Sequence, residues 1–250
     1  MSGFKNFKHD SIDLFLALNP KYINIGKTAI YLTILEHENK NKNILTFNDW
    51  YKTLFGLMLE GINPLDEYQK FADNHIVIIS FNYDRSLEFF LYEAFINSIS
   101  SISKEEKIKI LRKLKIYHVY GELGELPWEN DEGRGIEYGN DIWTHIIDRN
   151  KKNIKTIYER EKDDALDPKI VEEISRSRRI FFLGFGFAQE NVDMLELPAI
   201  LRDNYSIFTS DFENREKKIG NKMQSVGVYK SGRTIINQGD CRKLIEDYLR

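Results

Sequence analysis

The chain is poor in cysteine and proline, has no long apolar run, and carries little net charge of either sign. Cys241 is its one cysteine in 250 residues. A single thiol excludes an internal disulfide and the thiolate cluster of a Cys-built structural zinc site. The longest apolar stretch, around Ile180–Ala188, is about half of the ~18 residues that a membrane-spanning helix needs. The opening MSGFKNFKHD has no continuous apolar segment of the kind that signal peptides carry. No membrane association is expected, and the expected location is cytoplasmic. Lys plus Arg number 36 against 39 Asp plus Glu, a net charge of −3. That balance argues against neutralising a phosphate backbone as the main role, so no direct nucleic-acid binding is expected.

What is present is the composition of a folded globular chain, with 42% apolar and 30% charged residues. The first third reads helical. Asp10 or Ser11 caps a helix carrying Ile12, Phe15, Leu16 and Leu18, and Asn19-Pro20 stops it. Lys27 to Glu38 and Phe47 to Glu60 follow at helical spacing, the latter with Asn48 as cap and Gly61 and Pro64 as stop. The pattern then changes. Ile76-Val77-Ile78-Ile79 is a short β-branched run, as expected of a strand covered on both faces. Helices are predicted at Arg85–Asn97, Lys104–Leu114, Asp141 to about Glu161, Pro168–Arg178 and Cys241–Leu249. Further strands are predicted at Lys115–Tyr120, Ile180–Leu183 and Tyr205–Thr209. Residues 121–140 hold five glycines and must be loop. Val226–Ile236, with Ser231-Gly232 inside it, reads as a hairpin.

Strands alternating with helices indicate an α/β fold, a Rossmann-like and mostly parallel sheet with helices on both faces and an N-terminal helical layer. A single α/β domain over 1–250 is expected, with a helical part over 1–75 and a strand-containing nucleotide-binding core over 76–250. In such sheets ligands sit beyond the C-terminal strand ends. Those ends here are Ser80-Phe81-Asn82-Tyr83-Asp84, His118-Val119-Tyr120-Gly121, Gly184-Phe185-Gly186-Phe187, Thr209-Ser210-Asp211 and Gln238-Gly239-Asp240. Each is polar or glycine-bearing, the layout of a crevice in which backbone approaches phosphate and side chains bind ribose.

This constellation resembles the sirtuin superfamily, and within it the bacterial sirtuin-like proteins that hydrolyse NAD in anti-phage defence. Ile78 to Arg85 looks like that group's strand and "S/T-x-N-x-D" turn. His118-Val119-Tyr120-Gly121 looks like its His-containing strand, Leu183 to Phe187 like its later glycine turn, and Gly239-Asp240 like its terminal Gly-Asp. The resemblance implies an NAD glycohydrolase that releases nicotinamide and ADP-ribose, with NAD as substrate and no metal. It further implies a protein partner or homo-oligomer, and turnover held in check until an infection cue or partner arrives. By the same resemblance Asn82 orients the ribose and the attacking water, and Ser80 and Asp84 support that loop. His118 takes a proton from a ribose hydroxyl, which an ordinary imidazole titrating near ~6.5 does at neutral pH. Gly121, Gly184, Phe185, Gly186, Gly239 and Asp240 line the cofactor.

Blander readings stand beside these. Asn82 and Asp84 also suit a strand–helix turn, and Gly239-Asp240 also suits a turn and helix cap. Gly184 and Gly186 also suit packing, and Cys241 is an inert small hydrophobe. His9, His37, His75 and His145 have no comparable context. The chain lacks the zinc cysteines of the sirtuin deacylases, which disfavours deacylation. It also shows no Gly-Ala-Gly-x-Ser turn before Ser11, and Ser2-Gly3-Phe4 is no substitute. The resulting expectations are an incomplete pyrophosphate cradle, weak NAD affinity, and a gap closed by direct pairing of strands 76–80 and 180–183 or by a strand from another chain. The alternative function is a catalytically inactive nucleotide-binding or scaffold module of a defence complex.

Overall fold

The computed structural model describes residues 12–40, 44–46, 50–63, 67–130, 132–139, 144–156, 159, 166–201, 205–211 and 216–250. The proposed caps Asp10, Ser11 and Asn48, the stop at Pro64, the helix start at Asp141, and His9 lie outside them. In chain order the helices are α1 (Ile12–Leu18), α2 (Ile23–Lys40), α3 (Trp50–Leu59), α4 (Ser86–Ser98), α5 (Lys104–Leu111), α6 (Thr144–Asn150), α7 (Pro168–Arg176), α8 (Gln189–Met194), α9 (Leu197–Ile200), α10 (Glu216–Ser225) and α11 (Cys241–Tyr248). The strands are β1 (Val77–Ser80), β2 (Lys115–His118), β3 (Arg179–Phe182), β4 (Ser206–Asp211) and β5 (Thr234–Gln238). Every strand pairing among the described residues is parallel. The fold is α/β and Rossmann-like. None of the described helices is long and apolar enough to cross a membrane.

The chain forms two compact units that interleave in sequence. One comprises Met1–Phe47 and His75–Asp164, and the other Asn48–Asn74 and Ala165–Arg250. In the first, β1 pairs with β2 in register from Val77↔Lys115 to Ser80↔His118. Parallel pairing needs a long crossover, which α4 and α5 supply. A capping box between Ser103 and Glu106 starts α5. Tyr31 and Leu35 of α2 pack with Leu123, Ile147 and Ile154, and the Tyr31 hydroxyl donates to Leu123 O at 2.9 Å. The helix expected to run on to Glu161 ends at Asn150, followed by a 3-10 turn over Lys151–Asn153. The reason is that Ile154 turns inward, fully buried, while Lys155 N donates to Tyr120 O at 2.9 Å.

In the second unit the sheet order is β3-β4-β5. Pro168 sits in the first turn of α7 and Asp167 caps it, accepting from Lys169 N at 2.9 Å. Helix α3 packs on α11, which also lies against β4. The hairpin expected over Val226–Ile236 does not form. Helix α10 carries the chain back along the sheet, so β5 joins β4 in parallel, from Ile207↔Thr234 to Asp211↔Gln238. The Ser231-Gly232 turn merely leads into β5, with Gly232 at φ +75°. Direct pairing of strands 76–80 and 180–183 is also not found among the described residues, since β1 and β3 belong to separate sheets.

Candidate functional site

In the first unit the strand ends build a tightly held loop. The Ser80 hydroxyl accepts from Asn82 N at 3.1 Å, a side-chain turn that bends the chain off β1. Asp84 accepts from Ser86 N at 3.2 Å and from the Ser86 hydroxyl, which sets the first turn of α4. The Tyr83 hydroxyl donates to Lys155 O at 2.8 Å. The Asn82 side chain is left exposed on this anchored loop. The register pair Ser80↔His118 brings the end of β2 beside it.

His118 has hydrogen-bond partners at both ring nitrogens. Nδ1 lies 2.7 Å from the Asn82 carbonyl oxygen, and Nε2 lies 2.6 Å from Glu88 Oε1. Both partners offer acceptor oxygens, an arrangement that suits a ring with a proton on each nitrogen. Burial alone would discharge it; the Glu88 carboxylate, with help from Glu122, outweighs burial and holds its pKa up at about 9. The imidazole expected to accept a proton at neutral pH has both ring nitrogens engaged within the protein. The ring is pinned at both nitrogens and fixes the Asn82 backbone.

Gly121 follows at φ +79°, and a Cβ there would stand 1.8 Å from Asn153 O. The close pass of that backbone is sufficient reason for a glycine. Beyond it come two acids the sequence reading did not single out. Glu122 Oε2 is 3.7 Å from His118 Nε2. Burial pushes its carboxyl up, with repulsion from Glu88 adding and His118 and Arg85 opposing. Glu129 accepts from Leu126 N at 2.7 Å.

Burial, reinforced by Glu122 and Glu88 and opposed by that hydrogen bond and Arg85, pushes the Glu129 carboxyl up to about 8. Between the ordinary carboxylate range and pH 8 the folded chain thus holds a proton that the unfolded chain has lost. Stability from this group is intact at acid pH and declines as pH rises toward and through about 8. Glu129→Gln keeps an acceptor for Leu126 N and removes the ionisation. Urea denaturation at mildly alkaline pH should find that variant more stable than wild type, on the order of 2 kcal/mol. Equal pH slopes for the two proteins would refute this.

In the second unit the C-terminal ends of β3, β4 and β5 carry the remaining expected residues. Gly184 has φ +63° and Gly186 is exposed, and a Cβ on either would meet nothing within 4 Å. Phe182, Phe185 and Phe187 cluster with ring centroids 4.9–5.1 Å apart, anchoring the turn between the glycines. Asp211, 1% exposed, ends β4 with Oδ2 unpartnered among the described residues. Its carbonyl accepts from Gly239 N at 3.3 Å. Asp240 caps α11, accepting from Lys243 N at 2.8 Å, so the capping reading accounts for its carboxylate. Cys241 Sγ lies 3.7 Å from the Ser210 hydroxyl.

Glu88 is the most informative residue the sequence reading missed. It sits in Ser86-Leu87-Glu88-Phe89-Phe90-Leu91, an acid within an apolar stretch, three and seven positions from the buried Leu91 and Phe95. That spacing puts it on the buried face, a signal present in the sequence. No family model, curated protein or solved structure matches the chain.

Proposed function

We propose that the protein is a sirtuin-like NAD glycohydrolase of anti-phage defence, converting NAD and water to nicotinamide and ADP-ribose. The observation that carries this reading is the exposed Asn82 side chain at the C-terminal end of parallel strand β1. Its backbone is held on one side by Ser80 and on the other by His118. That is where α/β sheets bind nucleotides, and an amide there can orient a ribose hydroxyl or a water. The open glycines at 184 and 186 give the second unit a turn where a ligand can meet backbone N–H groups. His118 acts through Asn82 in this scheme, as a positioning residue.

The test is nicotinamide release from NAD by the purified chain, followed by chromatography, with NAD binding measured in parallel by calorimetry. Steady release supports the reading. A second reading, a nucleotide-binding module without turnover, is favoured by the engagement of both His118 ring nitrogens within the protein. It anticipates binding without release. Absence of both binding and release sinks both readings.

A further inference from the structure

Glu88, His118 and Glu122 each offer one ligand atom, and these atoms all lie within 4.8 Å of one another. We propose that this cluster, on α4, at the end of β2 and in the segment after it, is a binding site for a divalent transition-metal ion such as Zn²⁺. The inference goes beyond the NAD reading and does not depend on it. It also departs from the metal-free chemistry that the sirtuin resemblance implies.

The geometry of His118 is the first argument. Its Nδ1 faces a backbone carbonyl, Asn82 O, at 2.7 Å. Such a bond, N–H to carbonyl, is the usual outer partner of a metal-bound histidine, because it fixes the tautomer with the Nε2 lone pair outward. Here Nε2 is directed at two carboxylates, 2.6 Å from Glu88 Oε1 and 3.7 Å from Glu122 Oε2. A lone pair facing two anions requires a positive centre between them, either a proton or a metal ion. The separation from Glu122 is too long for a hydrogen bond. It is close to the ~3.3 Å between ligands of a tetrahedral ion whose bonds are about 2.0–2.1 Å.

The second argument is independent of His118. Glu88 is 3% exposed, and its Oε2 is buried with no hydrogen-bond partner among the described residues. A buried carboxylate oxygen left without a donor is costly, and coordination to a cation would satisfy it. Two carboxylates and a neutral imidazole around a divalent ion sum to zero charge, which suits a buried site. One nitrogen with two oxygens favours zinc and its neighbours over magnesium or calcium, which prefer all-oxygen shells. Glu122, 24% exposed at its side chain, gives the ion a route in from solvent.

The test uses the whole chain, stripped with a chelator and titrated with Zn²⁺ against a chromophoric competitor near neutral pH. The expected result is one equivalent bound at micromolar affinity or tighter, weakened at least about tenfold by Glu122→Gln and by Glu88→Gln. Cobalt(II) in place of zinc should give a visible absorption band in wild type that both variants lose. Zinc should also raise the melting temperature of wild type, a readout that needs no variant. No stoichiometric binding, or binding unchanged in both variants, would overturn the site. Neither outcome touches NAD turnover, so failure here is distinguishable from failure of the proposed function.

Discussion

Replacing Arg85 with methionine should cost about 3–5 kcal/mol of stability, the scale for stripping one partner from a buried ion pair. Arg85 and Glu38 are both fully buried, joined from guanidinium Nη2 to carboxylate Oε2 at 2.6 Å and from Nε to Oε1 at 3.1 Å. The remaining guanidinium nitrogen, Nη1, donates to Gly124 O at 3.0 Å and Ile136 O at 2.8 Å. Glu38 also accepts from Arg85 N and Gly139 N. One cation thus ties the end of α2, the start of α4 and the glycine-rich loop together. Glu38→Met should cost a similar amount, since it leaves the guanidinium buried without its anion. The double variant should be less damaged than the sum of the singles, because no uncompensated charge remains. It should not return to wild type, since the Gly124 and Ile136 carbonyls lose their donor. Urea denaturation of the three variants measures this. Full additivity would mean that the pair does not act as a unit.

The parts of the fold legible in the sequence were those written in short-range pattern. Ile76–Ile79 and Ile180–Leu183 are continuous apolar runs too short for helices, and both became parallel strands. Asp240 precedes a helical pattern, and it caps α11. What was not legible depended on partners far away in the chain. Val226–Ile236 has a turn and β-branched residues, as a hairpin does; its direction was set by α10 returning the chain along the sheet. Glu38 and Arg85 each look like solvated charges until residues 47 apart meet in the core. The site divides in the same way. Ser80, Asn82 and His118 stand out as candidates because strand ends are where side chains leave a sheet. Glu88 and Glu122 were missed because the former sits mid-helix and the latter in a loop, and only β1–β2 pairing draws the end of β2 toward both. The titration of His118 followed from that meeting, not from its own position.

If the protein hydrolyses NAD as proposed, Asn82→Ala should lower nicotinamide release by ~10²-fold or more, the scale of a lost group acting at the reacting centre. The fold should be preserved. The Asn82 contacts that secure the loop are made by its backbone, which accepts from His118 Nδ1 and donates to Ser80 Oγ, and alanine keeps both. Circular dichroism and the urea midpoint should therefore be unchanged while turnover falls. Ser80→Ala removes the hydroxyl that sets the Asn82 backbone. Its effect on release should be smaller, since the His118 bond still holds the other side. That order, a large loss without the amide and a partial one without its support, separates direct action by Asn82 from mere integrity of the loop. Near-wild-type release by Asn82→Ala, or a greater loss in Ser80→Ala, would show that the amide does not touch the reacting sugar.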